Sequence, residues 1–311
     1  MFKQFGFLCV SIVAIAGCNP VSSVDTPVNT ASTAQQESYP AMAVPLQPNA
    51  LAENNIAELT QLLSGDKVKA ADRAQIYLDR GRSYDSMGLR DLARMDYFKS
   101  LEINPRQADV YNLLGMYYTQ IGKFDTAYQA FDSTIELDPS NLSAVFNRAV
   151  AQYYGKRPDL ALEDMRTYYE SNPSDPFSAL WLYIIESELD KNAALTRLKS
   201  TYENKTDQWE WKLVGIILNE VSEEDVSNYI VNSTANNTVM AQKFTEAYFY
   251  LGKNYMANGD IKRALCVYKL ALSLNVFNFS EHSYALLELD RISDKFKSAS
   301  KNGKQDKFVY R

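Results

Sequence analysis

GKFDTAYQAFDSTIELDP, residues 122–139, is the stretch that decides the fold. A glycine opens it, apolar and aromatic residues follow at three- and four-residue spacing, and Asp138-Pro139 closes it. That spacing is the period of an amphipathic helix, and proline biases the residue before it away from helical geometry. The stretch therefore predicts a helix with a fixed stop. On either side the same marks return every 34 residues. Pro105, Pro139 and Pro173 end the segments LEINP, IELDP and YESNP, and Asn104, Asp138 and Asn172 precede them. Gly81, Gly115 and Ala149 share one phase, Ala93, Ala127 and Ala161 a second, and Tyr77, Tyr111 and Val145 a third. Aromatics follow at Tyr84 and Tyr118, then at Tyr97 and Phe131.

This pattern resembles the tetratricopeptide repeat, which implies an all-α superhelix of antiparallel helix pairs, helix A and helix B in each unit. Gly115 facing Ala127 would let the two helices approach closely, with Tyr111, Tyr118 and Phe131 filling the space around them. Gly88 and Gly122 fall where helix A must end, a place that suits a left-handed residue. The marks set repeats at 74–107, 108–141 and 142–175. The third departs from the pattern: Gln152 replaces the helix-A aromatic, and Gly155 with Pro158 predicts a shifted turn. A fourth copy, about 245–278, restores the phase with Gly252, Tyr255, Gly259, Ala264, Tyr268 and Ala271. A divergent helical middle separates it from the third. One helix is predicted ahead of the repeats, over 53–65, and one after them, over 281–292, so that the helical domain spans 51–292.

The first 50 residues have another character. FGFLCVSIVAIAG, residues 5–17, follows Lys3 and is too short for a membrane-crossing helix, so residues 1–17 read as a signal peptide. Small Ala16 and Gly17 before Cys18 resemble the lipobox of bacterial lipoproteins, which implies cleavage before Cys18 and its lipidation; the bland alternative is an ordinary signal peptide with a chance cysteine. Residues 18–50, rich in Ser, Thr, Pro, Gln and Ala, read as a flexible tether. Residues 293–311 form a basic tail expected to be disordered.

Composition narrows the function. The 311 residues carry a formal net charge of −6, one unit more negative once Lys3 leaves with the leader, which disfavours nucleic acid. Of three cysteines only Cys266 remains after cleavage and lipidation, so no internal disulfide is expected. His282 is the single histidine, and its neighbours have no metal-ligand spacing. It reads as a packing or capping contact, and Cys266 as a buried structural thiol. No Gly-rich phosphate loop is present. Glu223, Glu224 and Asp225 follow Ser222 at a predicted helix start and read as structural. Trp181, Trp209 and Trp211 read as core, with a subunit or partner interface as the alternative. No catalytic residues, cofactor or metal site is expected.

What remains is the helix-A face. In the repeat phase it presents Arg82, Asp85, Asp109, Asn112, Met116, Thr119, Phe146, Val150 and Tyr153, a mixed lining suited to an extended peptide or a partner helix. Beyond the repeats, AVPLQP at 43–48, YDSMGLRDLAR at 84–94, residues 122–139, DPFSALWLY at 175–183, QWEWKLV at 208–214 and EHSYALLEL at 281–289 resemble the NlpI-type family of lipoproteins. That resemblance implies a homodimeric, non-catalytic adaptor, lipid-anchored in the outer membrane and facing the periplasm. Its implied partners are a tail-specific protease and peptidoglycan endopeptidases. A repeat-built lipoprotein assisting pilus or outer-membrane protein assembly is the competing reading.

Overall fold

The computed structural model describes residues 40–65 and 68–301; Cys18, the leader and most of the tether lie outside them. Two compact units divide the chain, Met1–Pro40 and Ala41–Arg311. Among the described residues the second unit holds fourteen helices and no strand. None of the helices is long and apolar enough to cross a membrane.

After α1 (Ala50–Ser64), six helices form three hairpins: α2 (Ala70–Ser86) with α3 (Arg90–Ile103), α4 (Ala108–Gln120) with α5 (Phe124–Leu137), and α6 (Leu142–Tyr154) with α7 (Pro158–Ser171). Each hairpin is closed by one contact repeated at the same phase. A Cβ built on Gly81 would lie 2.5 Å from the Tyr97 ring, and one on Gly115 would lie 2.5 Å from the Phe131 ring. The aromatic thus occupies the room that the missing side chain leaves, and Phe131 rather than Ala127 is what Gly115 admits. In the third hairpin Ala149 and Met165 hold these two places, both fully buried.

The shifted third turn predicted from Gly155 and Pro158 does not occur. α6 and α7 begin 34 residues after α4 and α5, and Lys156, at φ 60°, takes the left-handed place of Gly88 (φ 76°) and Gly122 (φ 70°). Gly155 serves another end: it leaves room for the Tyr128 hydroxyl, which a Cβ would meet at 1.8 Å.

The divergent middle conceals a further hairpin in phase. α8 (Pro176–Glu186) starts 34 residues after α6 and packs on α9 (Lys191–Glu203), which starts 33 after α7; Leu182 and Leu198, each one position before the phase of the small–aromatic pair, are buried between them. Asp175 caps α8 and Asp190 caps α9 through their side chains. α10 (Trp211–Ile217) and α11 (Glu223–Ser233) come next, the latter opened by a reciprocal Ser222–Asp225 capping box. The last repeat is α12 (Asn237–Ala257) with α13 (Ile261–Ser273), again with a glycine, Gly252, against an aromatic, Tyr268, at 2.4 Å from the built Cβ.

α14 (Ser280–Lys301) runs past the helix predicted over 281–292, so residues 293–301 are helical and only 302–311 of the basic tail fall outside the described residues. It is pinned near its start, where Arg90 donates to Ser283 Oγ at 2.7 Å and Phe277 of the preceding loop lies on Gly88. Residues 41–46 form an extended strap on α12 and on the C-terminal end of α13. Asn237 bonds both the N–H and the C=O of Val44 at 2.9 Å, Leu46 N donates to Leu274 O at 3.0 Å, and Asn275 donates to Leu46 O at 3.1 Å. The Tyr248 hydroxyl donates to Ala41 O.

Candidate partner-binding surface

The helix-A face divides into an open and a closed part. At the open part, Arg82 and Asp109 pair across α2 and α4 at 3.1 Å with both side chains exposed. Asn147 donates to Asn112 Oδ1 at 3.1 Å, joining α6 to α4, and half-buried Met116 rests on the Ala127–Phe131 cluster. Asp85 is half-buried with Arg90 nearby; burial raises its carboxyl above the usual range, and the Arg90 charge opposes that. These five residues line a continuous stretch of α2 and α4 that carries charge, amide and thioether together.

The closed part corrects the expected lining. Thr119 is fully buried, its hydroxyl donating to Gly115 O at 2.9 Å inside its own helix, and so it presents nothing to a partner. Val150 is likewise fully buried. Phe146 packs against Tyr168 and Trp181, at ring-centroid distances of 4.9 and 6.3 Å. Tyr153 is covered as well, accepting from Lys253 Nζ at 2.7 Å through its hydroxyl. The cover comes from Trp181 of α8, α12 and α14, which the repeat phase of the first three units does not reveal. Lys253 holds the phase of Arg82, Met116 and Val150 in the last repeat, and its neighbour Glu288 belongs to α14. A lysine inside the aromatic run YFYLGKNY, residues 248–255, was the one signal in the sequence of an enclosed charge.

His282 is buried with Nε2 on Leu272 O at 3.2 Å and its ring against Phe277, the packing role expected of it. Cys266 is exposed on α13, not buried as expected, because its helix faces the core through Ala264, Tyr268 and Ala271. Trp181 and Trp211 are core, while Trp209 is half-buried and parallel to Tyr229 at 6.4 Å. Among the described residues no group of three or more His, Cys, Asp or Glu could hold a metal ion.

With the hairpins and their face in view, residues 112–176 match a family model of the tetratricopeptide repeat, and residues 74–107 match a second model of the same description. The chain carries tetratricopeptide repeats. Among solved structures, a crystal structure of MamA is similar at 18% identity, covering 49% of this chain and 87% of that one, with a TM-score of 0.44. The first tetratricopeptide-repeat domain of Spaghetti (RPAP3), bound to the HSP90 peptide SRMEEVD, is similar at 22% identity over 40% of this chain and 98% of that one, with a TM-score of 0.37. The tetratricopeptide repeats make the chain a scaffold for protein–protein interaction.

Proposed function

We propose that the chain is a non-catalytic adaptor of the NlpI type, lipid-anchored through Cys18 at the periplasmic face of the outer membrane. It would bind a tail-specific protease and peptidoglycan endopeptidases through the open part of the helix-A face. The observation that supports this reading is the surface of α2 and α4 itself. Arg82 and Asp109 leave polar groups in water, while Asn112 and Met116 offer an amide and a soft apolar contact on rigid helices. Such a surface suits an extended peptide or a helix, in which a few central contacts carry most of the energy.

The test is binding of the full chain to a purified tail-specific protease and to a purified endopeptidase. Arg82→Ala, Asn112→Ala and Met116→Ala together should weaken at least one partner by roughly 2 kcal/mol or about thirtyfold, with helicity unchanged. Undiminished binding of both partners by the folded triple variant would remove this face from the proposal. If neither protein binds the parent chain, the adaptor reading fails.

A further inference from the structure

α10 and α11 meet at a shallow depression of about 570 Å3, within the range of ligand sites. Helical spacing fixes its wall. Val226 and Ile230 turn one side of α11 into the core, and Asp225, Asn228, Tyr229 and Asn232, spaced by three, four and seven places, line the depression from another. Lys212 of α10 and Glu220 of the turn after it complete the lining on the far side.

A second aromatic ring adjoins Tyr229. In QWEW, residues 208–211, Trp211 enters the core and donates from Nε1 to Thr206 Oγ1 at 3.1 Å, whereas Trp209 stays half-buried. The Trp209 and Tyr229 rings lie 6.4 Å apart with their planes within 12° of parallel. Lys243 of α12 braces both, its Nζ 5.3 Å from the Trp209 centroid and 5.0 Å from that of Tyr229, and Lys212 Nζ lies 4.9 Å from the Tyr229 centroid.

The lining selects the ligand. Val221 alone among these residues is aliphatic, so an apolar tail finds no wall. One lysine stands against two carboxylates, and Asp225 is already engaged by Ser222 in the capping box, so a free ion of either sign gains little. The Glu220, Asn228 and Asn232 side chains are exposed and bond to no other described residue. Carboxylate and amide groups each hold two polar atoms in one plane, which matches a pair of neighbouring hydroxyls. A flat aromatic pair matches the C–H face of a pyranose. Asn228 and Asn232 stand about 6 Å apart along the helix axis, close to the advance of one ring in a β-linked chain.

We propose that this depression binds a neutral, β-linked oligosaccharide. Its rings stack on Trp209 and Tyr229, and its hydroxyls bond to Glu220, Asn228 and Asn232. The site is separate from the open face of α2 and α4, and its test is independent of the adaptor reading.

The chain carries its own reporter. Trp181 and Trp211 are each 2% exposed, so acrylamide reaches Trp209 first, and a sugar stacked there should protect its fluorescence. The full chain in detergent is titrated with cellotetraose and with chitotetraose, by this quenching and by calorimetry. Maltotetraose, whose α linkages curl the chain off a flat surface, serves as the control. Binding of either β-linked sugar upholds the site, and the preference between them reads the substituent that it accepts. Asn228→Ala with Asn232→Ala should weaken that sugar by about tenfold, the loss of two hydrogen bonds, at an unchanged melting temperature. Trp209→Phe should keep the affinity that Trp209→Ala loses. No saturation by either β-linked sugar up to about 10 mM, equal affinity for maltotetraose, or full affinity in the folded asparagine variant would overturn it.

Discussion

Arg148 of α6 grips Asp164 of α7 in a two-pronged pair, Nε to Oδ2 at 2.7 Å and Nη2 to Oδ1 at 2.8 Å. Arg80 and Asp96 repeat it in the first hairpin at 2.6 and 2.7 Å, whereas the second hairpin has Leu114 and Ala130 at these places. The fold thus contains its own apolar control. Arg148→Leu alone should destabilise by about 2–3 kcal/mol, because Asp164 is left buried without its cation. Adding Asp164→Ala, to copy the second hairpin, should restore most of the loss. Urea unfolding of the parent, both single variants and the double variant measures the coupling, and simple additivity would contradict it.

Close approach at the glycines gives a ranked series. Gly115→Ala places a methyl group 2.5 Å from the Phe131 ring and should cost about 1–3 kcal/mol by overpacking. Gly122→Ala meets nothing within 4 Å but holds φ 70°, so it should cost only about 1 kcal/mol of backbone strain. Lys156→Gly relieves the same strain and should raise the melting temperature. Thermal unfolding in which Gly115→Ala melts with the parent would refute the contact as the basis of hairpin closure.

Buried His282 and half-buried Glu246 set opposite pH trends. Burial, aided by the Arg90 charge, lowers the His282 pKa from 6.5 to about 4. The folded state therefore refuses a proton that the unfolded state takes, and stability should fall as pH drops from about 6.5 towards 4, by up to roughly 3 kcal/mol. Burial raises Glu246 to about 9, with the Glu281 and Glu210 charges adding to the shift. There the folded state holds the extra proton, so its stabilisation is full below about 4.5 and is lost as pH rises through 9. Glu246→Gln should therefore raise the melting temperature increasingly above about pH 5. A variant that melts with the parent across pH 5–9 would exclude Glu246 from this role.

Under the proposed lipid anchor, Cys18→Ala should abolish labelling of the chain by a radioactive fatty acid, because it removes the sulfur that would be acylated, and should shift the chain out of the membrane fraction. Label persisting in that variant would end the lipoprotein proposal.

The first two hairpins were legible because their small residues, aromatics and prolines sit at fixed places, each with a separate physical task. The third turn was misread because a lysine stands where glycine is expected, and a left-handed lysine leaves no mark in composition. The α8–α9 hairpin was hidden because Leu182 and Leu198 close it by bulk against bulk. Four of the nine expected surface residues are closed: Thr119 turns its hydroxyl onto its own helix, while Phe146, Val150 and Tyr153 obey the repeat phase but lie under Trp181, α12 and α14, a long-range cover with no local signature.

The strap at residues 41–46 changes how the protein should come apart. An open array of repeats can fray from either end and melt unit by unit, since each unit touches only its neighbours. Here Val44 is bonded to Asn237, 193 positions away, and Leu46 to Asn275, 229 positions away, while Arg90 in the first repeat holds Ser283 in the last helix. The array is tied into a ring, so neither terminus can peel without releasing the other. Cutting the chain at residue 50 would remove the tie together with the tether, and a soluble version that keeps the strap should unfold in one cooperative step where the shorter one unfolds in stages.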